Sequence, residues 1–167
     1  MDISRRHLLA SSALAGATVL SAADRRPLLY VGAYTSDKNK GITVCRLDPA
    51  TGAISDMSLA SETPNPTFLE LHPSGKFLYA VNEIANYDGT RAGSILAYSI
   101  DRATGKLTLL NRMSTKGPGP CHVALDKSGR MAMIANYGGG SIASYRILED
   151  GKVSEPVSFF QHEGKGP

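Results

Sequence analysis

Tryptophan is absent from this 167-residue chain, and its aromatic residues are seven tyrosines and four phenylalanines. No run of lysine and arginine and no aromatic ladder occurs, so the pattern that tracks a nucleic acid backbone is missing. The formal charge of +3 is too small to imply a polyanionic partner. Cysteine occurs twice, at Cys45 and Cys121. A lone pair this far apart makes no metal motif, and a disulfide has no geometric support, so both are expected as small core hydrophobes. No His, Cys, Asp or Glu set falls at metal-ligand spacing, and neither a required metal nor a cofactor is expected. No apolar run reaches membrane-spanning length. The stretch from Leu8 to Leu20 is too short and too rich in Ser, Gly and Ala to predict stable membrane anchoring.

What is present begins with a leader. Ser4-Arg5-Arg6-His7-Leu8-Leu9 is a twin-arginine pattern, followed by an Ala- and Leu-rich stretch and then small residues at Ser21-Ala22-Ala23. Basic region, apolar region and cleavage site in that order predict an export signal over 1–23 and a periplasmic or secreted protein. An N-terminal helix of the domain or a membrane anchor is the competing reading. Without residues 1–23 the balance is 16 basic to 14 acidic residues.

Residues 24–167 read as repeats of one unit. Val123 to Asp126 alternates, Lys127-Ser128-Gly129-Arg130 is a turn, Met131 to Ala135 is a second apolar run, and Ser141 to Ile147 a third. These are short antiparallel strands joined by tight turns. Pro66, Gly75 and Asn82 match Pro120, Gly129 and Asn136 at a spacing of 54, and Gly93-Ser94-Ile95 matches Gly140-Ser141-Ile142 at 47. The change in spacing places one insertion within Glu83 to Ala92. A weaker copy runs through Tyr30 to Tyr34, Gly41 to Leu47 and Gly52. A period of about 40 to 50 residues carrying four short strands is the mark of a β-propeller blade. The expectation is an all-β fold of about three blades, over 27–65, 66–119 and 120–167. The first blade lacks its first strand, so the strand count is three, then four, then four. Propellers close by borrowing such a strand, and a closed ring needs at least about four blades. The chain is therefore expected to be part of a longer propeller, with an open sheet array as the alternative.

This topology brings candidate chemistry to one rim, because the start of a first strand lies beside the end of the second. His122 opens a first strand. Asn136-Tyr137 and Asn82-Glu83 close second strands, Tyr34-Thr35 holds the same place in the first unit, and the insertion carrying Arg91 borders them. His122 and Glu83 are the candidate catalytic groups, since an imidazole or a carboxylate can serve as a base. Tyr137, Asn136, Asn82, Tyr34 and Arg91 are the candidate substrate contacts. Each has a plainer alternative. His122 aligns with Phe68 and could simply pack, Glu83 could be a solvated rim carboxylate, and Tyr137 could cover the core edge. The recurrence of Asn82 and Asn136 suits turn hydrogen bonding. His72, Asp126, Lys127 and Arg130 are expected to be solvated turn residues.

Three motifs resemble a known family. Tyr30-Val31-Gly32-Ala33-Tyr34-Thr35 with Lys40-Gly41-Ile42 resembles its N-terminal motif. Asn65-Pro66-Thr67-Phe68 with the run from His72 to Glu83 resembles its second blade. Gly119-Pro120-Cys121-His122 with the run from Ala135 to Ser141 resembles its third. The family is the seven-bladed propeller lactonases of the 6-phosphogluconolactonase type, which includes a carboxymuconate lactonizing enzyme. The resemblance covers Leu28 to the end and implies the N-terminal part of a seven-bladed ring, completed by further blades. Gln161-His162-Glu163-Gly164 resembles the lead-in to a family segment rich in Arg and His that lines the site. The implied activity is hydrolysis of a small sugar lactone to the aldonic acid. Export favours an unphosphorylated lactone, and Arg91 is the only candidate phosphate contact near the rim. The alternatives are a non-catalytic exported binding module and a lactone-forming cycloisomerase.

Overall fold

The computed structural model describes residues 26–164; the leader expected over 1–23 lies outside them. Eleven strands follow one another: β1 (Leu28–Val31), β2 (Gly41–Leu47), β3 (Ile54–Glu62), β4 (Leu69–Leu71), β5 (Phe77–Asn82), β6 (Ser94–Ile100), β7 (Leu107–Ser114), β8 (Pro120–Leu125), β9 (Met131–Asn136), β10 (Ser141–Ile147) and β11 (Val153–Gln161). They form three antiparallel sheets, β1-β2-β3, β4-β5-β6-β7 and β8-β9-β10-β11, each ordered as in the chain. The fold is all-β, with three, four and four strands, as expected for partial propeller blades.

Local chemistry explains the hairpins. In the turn from β10 to β11, Gly151 has φ 84°, and a Cβ there would lie 2.3 Å from the Phe77 ring, so only glycine allows both the turn and the close approach. The β8–β9 turn is fastened by Asp126, whose carboxylate accepts from the backbone N–H groups of Ser128, Arg130 and Met131 and from the Ser128 hydroxyl. The Ser128 hydroxyl bond, aided by the backbone bonds, lowers the pKa of Asp126 to about 2. Asp126 thus builds its turn rather than merely being solvated. His72 is likewise more than a surface residue. Its Nε2 lies 3.0 Å from the carbonyl oxygen of Gly129 and its Nδ1 2.8 Å from Ser74 Oγ, joining the turns of two sheets.

The outermost pair of every sheet carries a register shift, and of the inner pairs only β8–β9 does. Such bulges bend and twist the outer strand. Stacking the sheets produces two cores. Ile42, Val44 and Ala60 of the first sheet meet Leu78, Ala80, Leu96, Tyr98 and Leu107 of the second. Tyr79, Val81, Ile95 and Ala97 of the second meet Val123, Ala132, Ile134, Ala143, Tyr145 and Val153 of the third. Burial of each Val, Leu or Ile among them contributes roughly 1.5–3 kcal/mol.

Tyrosines clasp the seams. Tyr30 Oη donates to the carbonyl of Gly105 at 3.0 Å, and Tyr79 Oη repeats the bond one seam later, to Gly151 at 2.9 Å. Tyr145 Oη reaches back to the carbonyl of Ser114 at 2.7 Å. Burial pushes the Tyr30 phenol up to about 12 and raises Tyr79 and Tyr145 as well, so all three remain donors at any ordinary pH. At the position of Tyr79 the third sheet has Met133, 43% exposed. Ile142 and Phe160 beside it are 46% and 59% exposed.

Candidate functional site

The rim forms where strands end and linkers cross. Beyond β1 the chain continues to Tyr34, and beyond β5 it passes from Asn82 to Glu83. The linker into β4 carries Asn65 and Thr67. Tyr34 Oη donates to Glu83 Oε1 at 2.5 Å, and Thr67 Oγ1 donates to Glu83 Oε2 at 2.6 Å. Asn65, in the left-handed region at φ 43°, ties the two segments together. Its Oδ1 accepts from the Thr35 N–H at 3.0 Å and from the Thr35 hydroxyl at 2.9 Å, its Nδ2 donates to the Glu83 carbonyl at 3.3 Å, and its own carbonyl accepts from the Glu83 N–H at 2.9 Å. Asparagine tolerates that backbone region better than most residues.

The Tyr34 phenol is raised above its ordinary value, first by its hydrogen bond to Glu83, then by desolvation and by the Glu83 charge. It keeps its proton near neutral pH and acts as a donor. Cys121 of the third sheet opens β8 next to Pro120. Both cysteines are free; Cys45 is buried as expected, but Cys121 is only half-buried, its thiol facing the carbonyl of Ala135 at 3.8 Å. Among the described residues, no group of three or more His, Cys, Asp or Glu side chains could hold a metal ion.

The other candidate residues take different places. His122 follows a bulge in β8, where the pairing shifts between Pro120 and His122. Its ring packs against Phe68 with centroids 4.3 Å apart and planes tilted 46°. It borders a groove of about 320 Å³ across the open face of the third sheet, with Met133, Ile142 and Phe160. No hydrogen bond or ring contact among the described residues joins it to Glu83. Tyr137 is 85% exposed, at the turn where the Gly140 N–H bonds its carbonyl at 3.3 Å. Arg91 is exposed beyond a small hairpin in which Tyr87 pairs with Thr90 around Asp88-Gly89, both at positive φ, the geometry of the tightest hairpin turns. It lines a shallow cavity with Tyr87 and Lys116, apart from the Glu83 cluster.

The two asparagines correct the expectation of substrate contact. Asn82 is 0% exposed and Asn136 2%. Asn82 Nδ2 donates to Thr63 Oγ1 at 2.9 Å and to the Pro64 carbonyl, while the Ser94 hydroxyl donates to its Oδ1 at 3.0 Å. Asn136 Nδ2 bonds the Thr115 carbonyl and Ser141 Oγ, both at 3.0 Å. Each amide joins its own sheet to the strand leaving the sheet before, and neither faces solvent. The reason is positional: a polar side chain at the buried end of an inner strand must find partners within the fold.

Thr67, Asn65 and Cys121 were not among the candidate residues. Their signal was present in Asn65-Pro66-Thr67 and Pro120-Cys121-His122, which open equivalent strands in the repeat. A repeat alignment marks such positions as strand openers and does not show which of them turn inward.

Known proteins share this architecture. The family model for seven-bladed β-propeller lactonases matches residues 28–167. The 6-phosphogluconolactonase of Bacillus subtilis (strain 168) is 38% identical over 138 residues, 83% of this chain and 38% of its own length. The 6-phosphogluconolactonase of Formosa agariphila is 33% identical over 139 residues, again 83% and 38%. Among solved structures, a candidate 6-phosphogluconolactonase from Bacteroides fragilis matches with TM-score 0.78 at 33% identity, covering 88% of this chain and 39% of that one. The periplasmic gluconolactonase of Pseudomonas aeruginosa matches with TM-score 0.72 at 30% identity, covering 81% and 38%. The chain thus spans about two fifths of the length of these relatives. With eleven strands in three blade-like sheets and a family match from Leu28 onward, the chain belongs to the seven-bladed β-propeller lactonase family.

Proposed function

We propose that the protein of which these sheets form part is a hydrolase that opens a small sugar lactone to its aldonic acid. The observation that carries this reading is the family match over residues 28–167, joined to 6-phosphogluconolactonase relatives at 33–38% identity. In the reaction, water adds to the lactone carbonyl, donors hold the oxyanion that forms, and the ring C–O bond breaks as its oxygen takes a proton. His122 is the proposed base for water. Glu83, with each oxygen already accepting a hydroxyl proton, is proposed to hold Tyr34 and Thr67 toward the sugar. Tyr137 is proposed to cover a sugar face and Arg91 to reach a substituent from the insertion.

The domain reading is a leader over 1–23 followed by blades over 27–65, 66–119 and 120–167. The next blade is proposed to pack on the open face of the third sheet. That face repeats the composition of the face by which the second sheet meets the third: Met133 stands for Tyr79, Ile142 for Ile95 and Phe160 for Met113. Export by the twin-arginine route is proposed from Ser4 to Leu9, supported by the periplasmic gluconolactonase among the structural relatives.

The test is lactone opening by the protein carrying the complete propeller, followed as acid release, with glucono-lactone and its 6-phosphate compared. Turnover of either supports the reading, and the preferred one defines the substrate. No acceleration over the uncatalysed rate with both, in a folded protein, leaves the binding-module reading in its place. His122→Asn and Glu83→Gln variants then assign the base: the first should lose about 10²–10⁴-fold, the usual range for a general base, and the second less.

A further inference from the structure

A second polar site lies on the same rim, beside the Glu83 cluster. A cavity of about 440 Å³ opens between the loop after β1, the end of β3 and strand β7; Ser36, Lys40 and Arg112 line it, with Asp37 and Glu62. Arg112 is the unusual member. Its Nε is buried and has no hydrogen-bond partner, although a guanidinium stays charged at any working pH and its N–H groups seek acceptors. Neither Arg112 nor Lys40 makes an ion pair among the described residues. Ser36 Oγ accepts from the backbone N–H groups of Lys38 and Asn39 at 3.4 and 3.3 Å, which leaves its own proton free to donate.

We propose that Arg112, Lys40 and Ser36 form a binding site for a small oxyanion, the carboxylate or phosphate of a soluble metabolite. The terminal N–H groups of Arg112, which make no hydrogen bond among the described residues, a second cation and a free hydroxyl supply donors to an acceptor-only group, which is what carboxylates and phosphates are. Asp37 and Glu62 are both exposed. They oppose any anion there and set the affinity low rather than abolish it. The site is fastened to the Glu83 cluster: Thr35, next to Ser36, donates twice to Asn65, and Asn65 donates to the Glu83 carbonyl. The sequence did not reveal it, because Lys40 and Arg112 stand 72 residues apart and belong to different repeat units.

The test is titration of the protein with inorganic phosphate and, separately, with gluconate at low ionic strength, by calorimetry and by amide chemical shifts. It reads binding alone, so it stands or falls apart from the lactonase reading. Saturable binding is expected, with shifts centred on residues 36–40 and Arg112. Arg112→Met should weaken it about tenfold or more, Lys40→Met by less, as expected for charge-assisted bonds. Arg130→Met, in a different cavity, should change nothing. The double variant Asp37→Asn, Glu62→Gln should tighten binding, and it tests the site even if Arg112→Met fails to fold. Response to phosphate alone or to gluconate alone tells which oxyanion is held. Absence of saturable binding by either, affinity unchanged in Arg112→Met, or affinity unchanged in the double variant would overturn the proposal.

Discussion

Replacing Asn82 by alanine separates a substrate contact from a structural fastening. Asn82 is fully buried, and its amide links Thr63, the Pro64 carbonyl and the Ser94 hydroxyl. Alanine removes three hydrogen bonds, each worth roughly 1 kcal/mol net, and leaves the Thr63 and Ser94 hydroxyls buried without that partner. The expected loss is about 3 kcal/mol. Asn136→Ala should cost less, about 2 kcal/mol, because Asn136 makes two such bonds and its Oδ1 already lacks a partner. At roughly 3 °C per kcal/mol for a domain near this size, the midpoints should fall by about 9 and 6 °C. Far-ultraviolet circular dichroism or tyrosine fluorescence can follow the transitions, since no tryptophan is present. If both variants melt with the parent and differ only in lactone turnover, the structural assignment is wrong and the substrate role expected from sequence returns. If Asn136→Ala proves the more costly, the orphaned Oδ1 has an acceptor role that its two hydrogen bonds do not account for.

Three further outcomes follow from named contacts. In Glu83→Gln the Tyr34 phenol loses its carboxylate partner, so its raised pKa should fall toward the ordinary value of about 10. Ultraviolet titration of phenolate, taken as the difference from Tyr34→Phe, reads it, and an unmoved titration would show that the hydrogen bond does not control Tyr34. Asp126 has its pKa depressed from 3.8 to about 2, so its contribution to stability is complete above the unfolded value and is lost as pH falls through the interval between the two. Asp126→Asn should flatten the melting temperature against pH between those values; an identical acid limb in parent and variant would refute it. Gly151→Ala forces a Cβ to 2.3 Å from the Phe77 ring at φ 84°, and a loss of more than about 1 kcal/mol is expected from strain and overpacking, with a neutral result in urea unfolding counting against the turn geometry.

Sequence carried the fold further than the site, for reasons visible in particular residues. Strand periodicity is written in every copy of the repeat, so β5, β6, β9 and β10 could be located from Gly75, Gly93, Gly129 and Gly140 without coordinates. The seam tyrosines were harder. Tyr30 and Tyr79 occupy one repeat position and bond equivalent turns, Gly105 and Gly151, but nothing local distinguishes a phenol that reaches the next sheet from one that covers a core edge. Asn82 and Asn136 show the limit from the other side. Recurrence suits hydrogen bonding within the fold, and the burial of both amides favours that role over substrate contact, yet burial at a strand end depends on a neighbouring sheet that no local pattern encodes.

The rim shows why partial legibility is expected in a repeat fold. Each sheet supplies the same scaffold, so the repeat predicts positions, and departures from it carry the chemistry: Glu83 where the third unit has Tyr137, His122 where the second has Phe68, Met133 where the second has Tyr79. Only contacts between units give those departures meaning. Tyr34 becomes a held donor because Glu83 of the next sheet accepts its hydrogen bond, and Glu83 is itself fixed by Thr67 on the linker into β4. Removing Thr67's hydroxyl in Thr67→Val should therefore loosen Glu83 without touching any proposed reacting group. The expected signature is a lower kcat that Thr67→Ser restores, with a Tyr34 titration shifted from that of the parent. Loss restored by neither serine nor any change at Tyr34 would place Thr67 in packing alone, and the clasp would then be a consequence of the linker's path rather than a device that orients the rim.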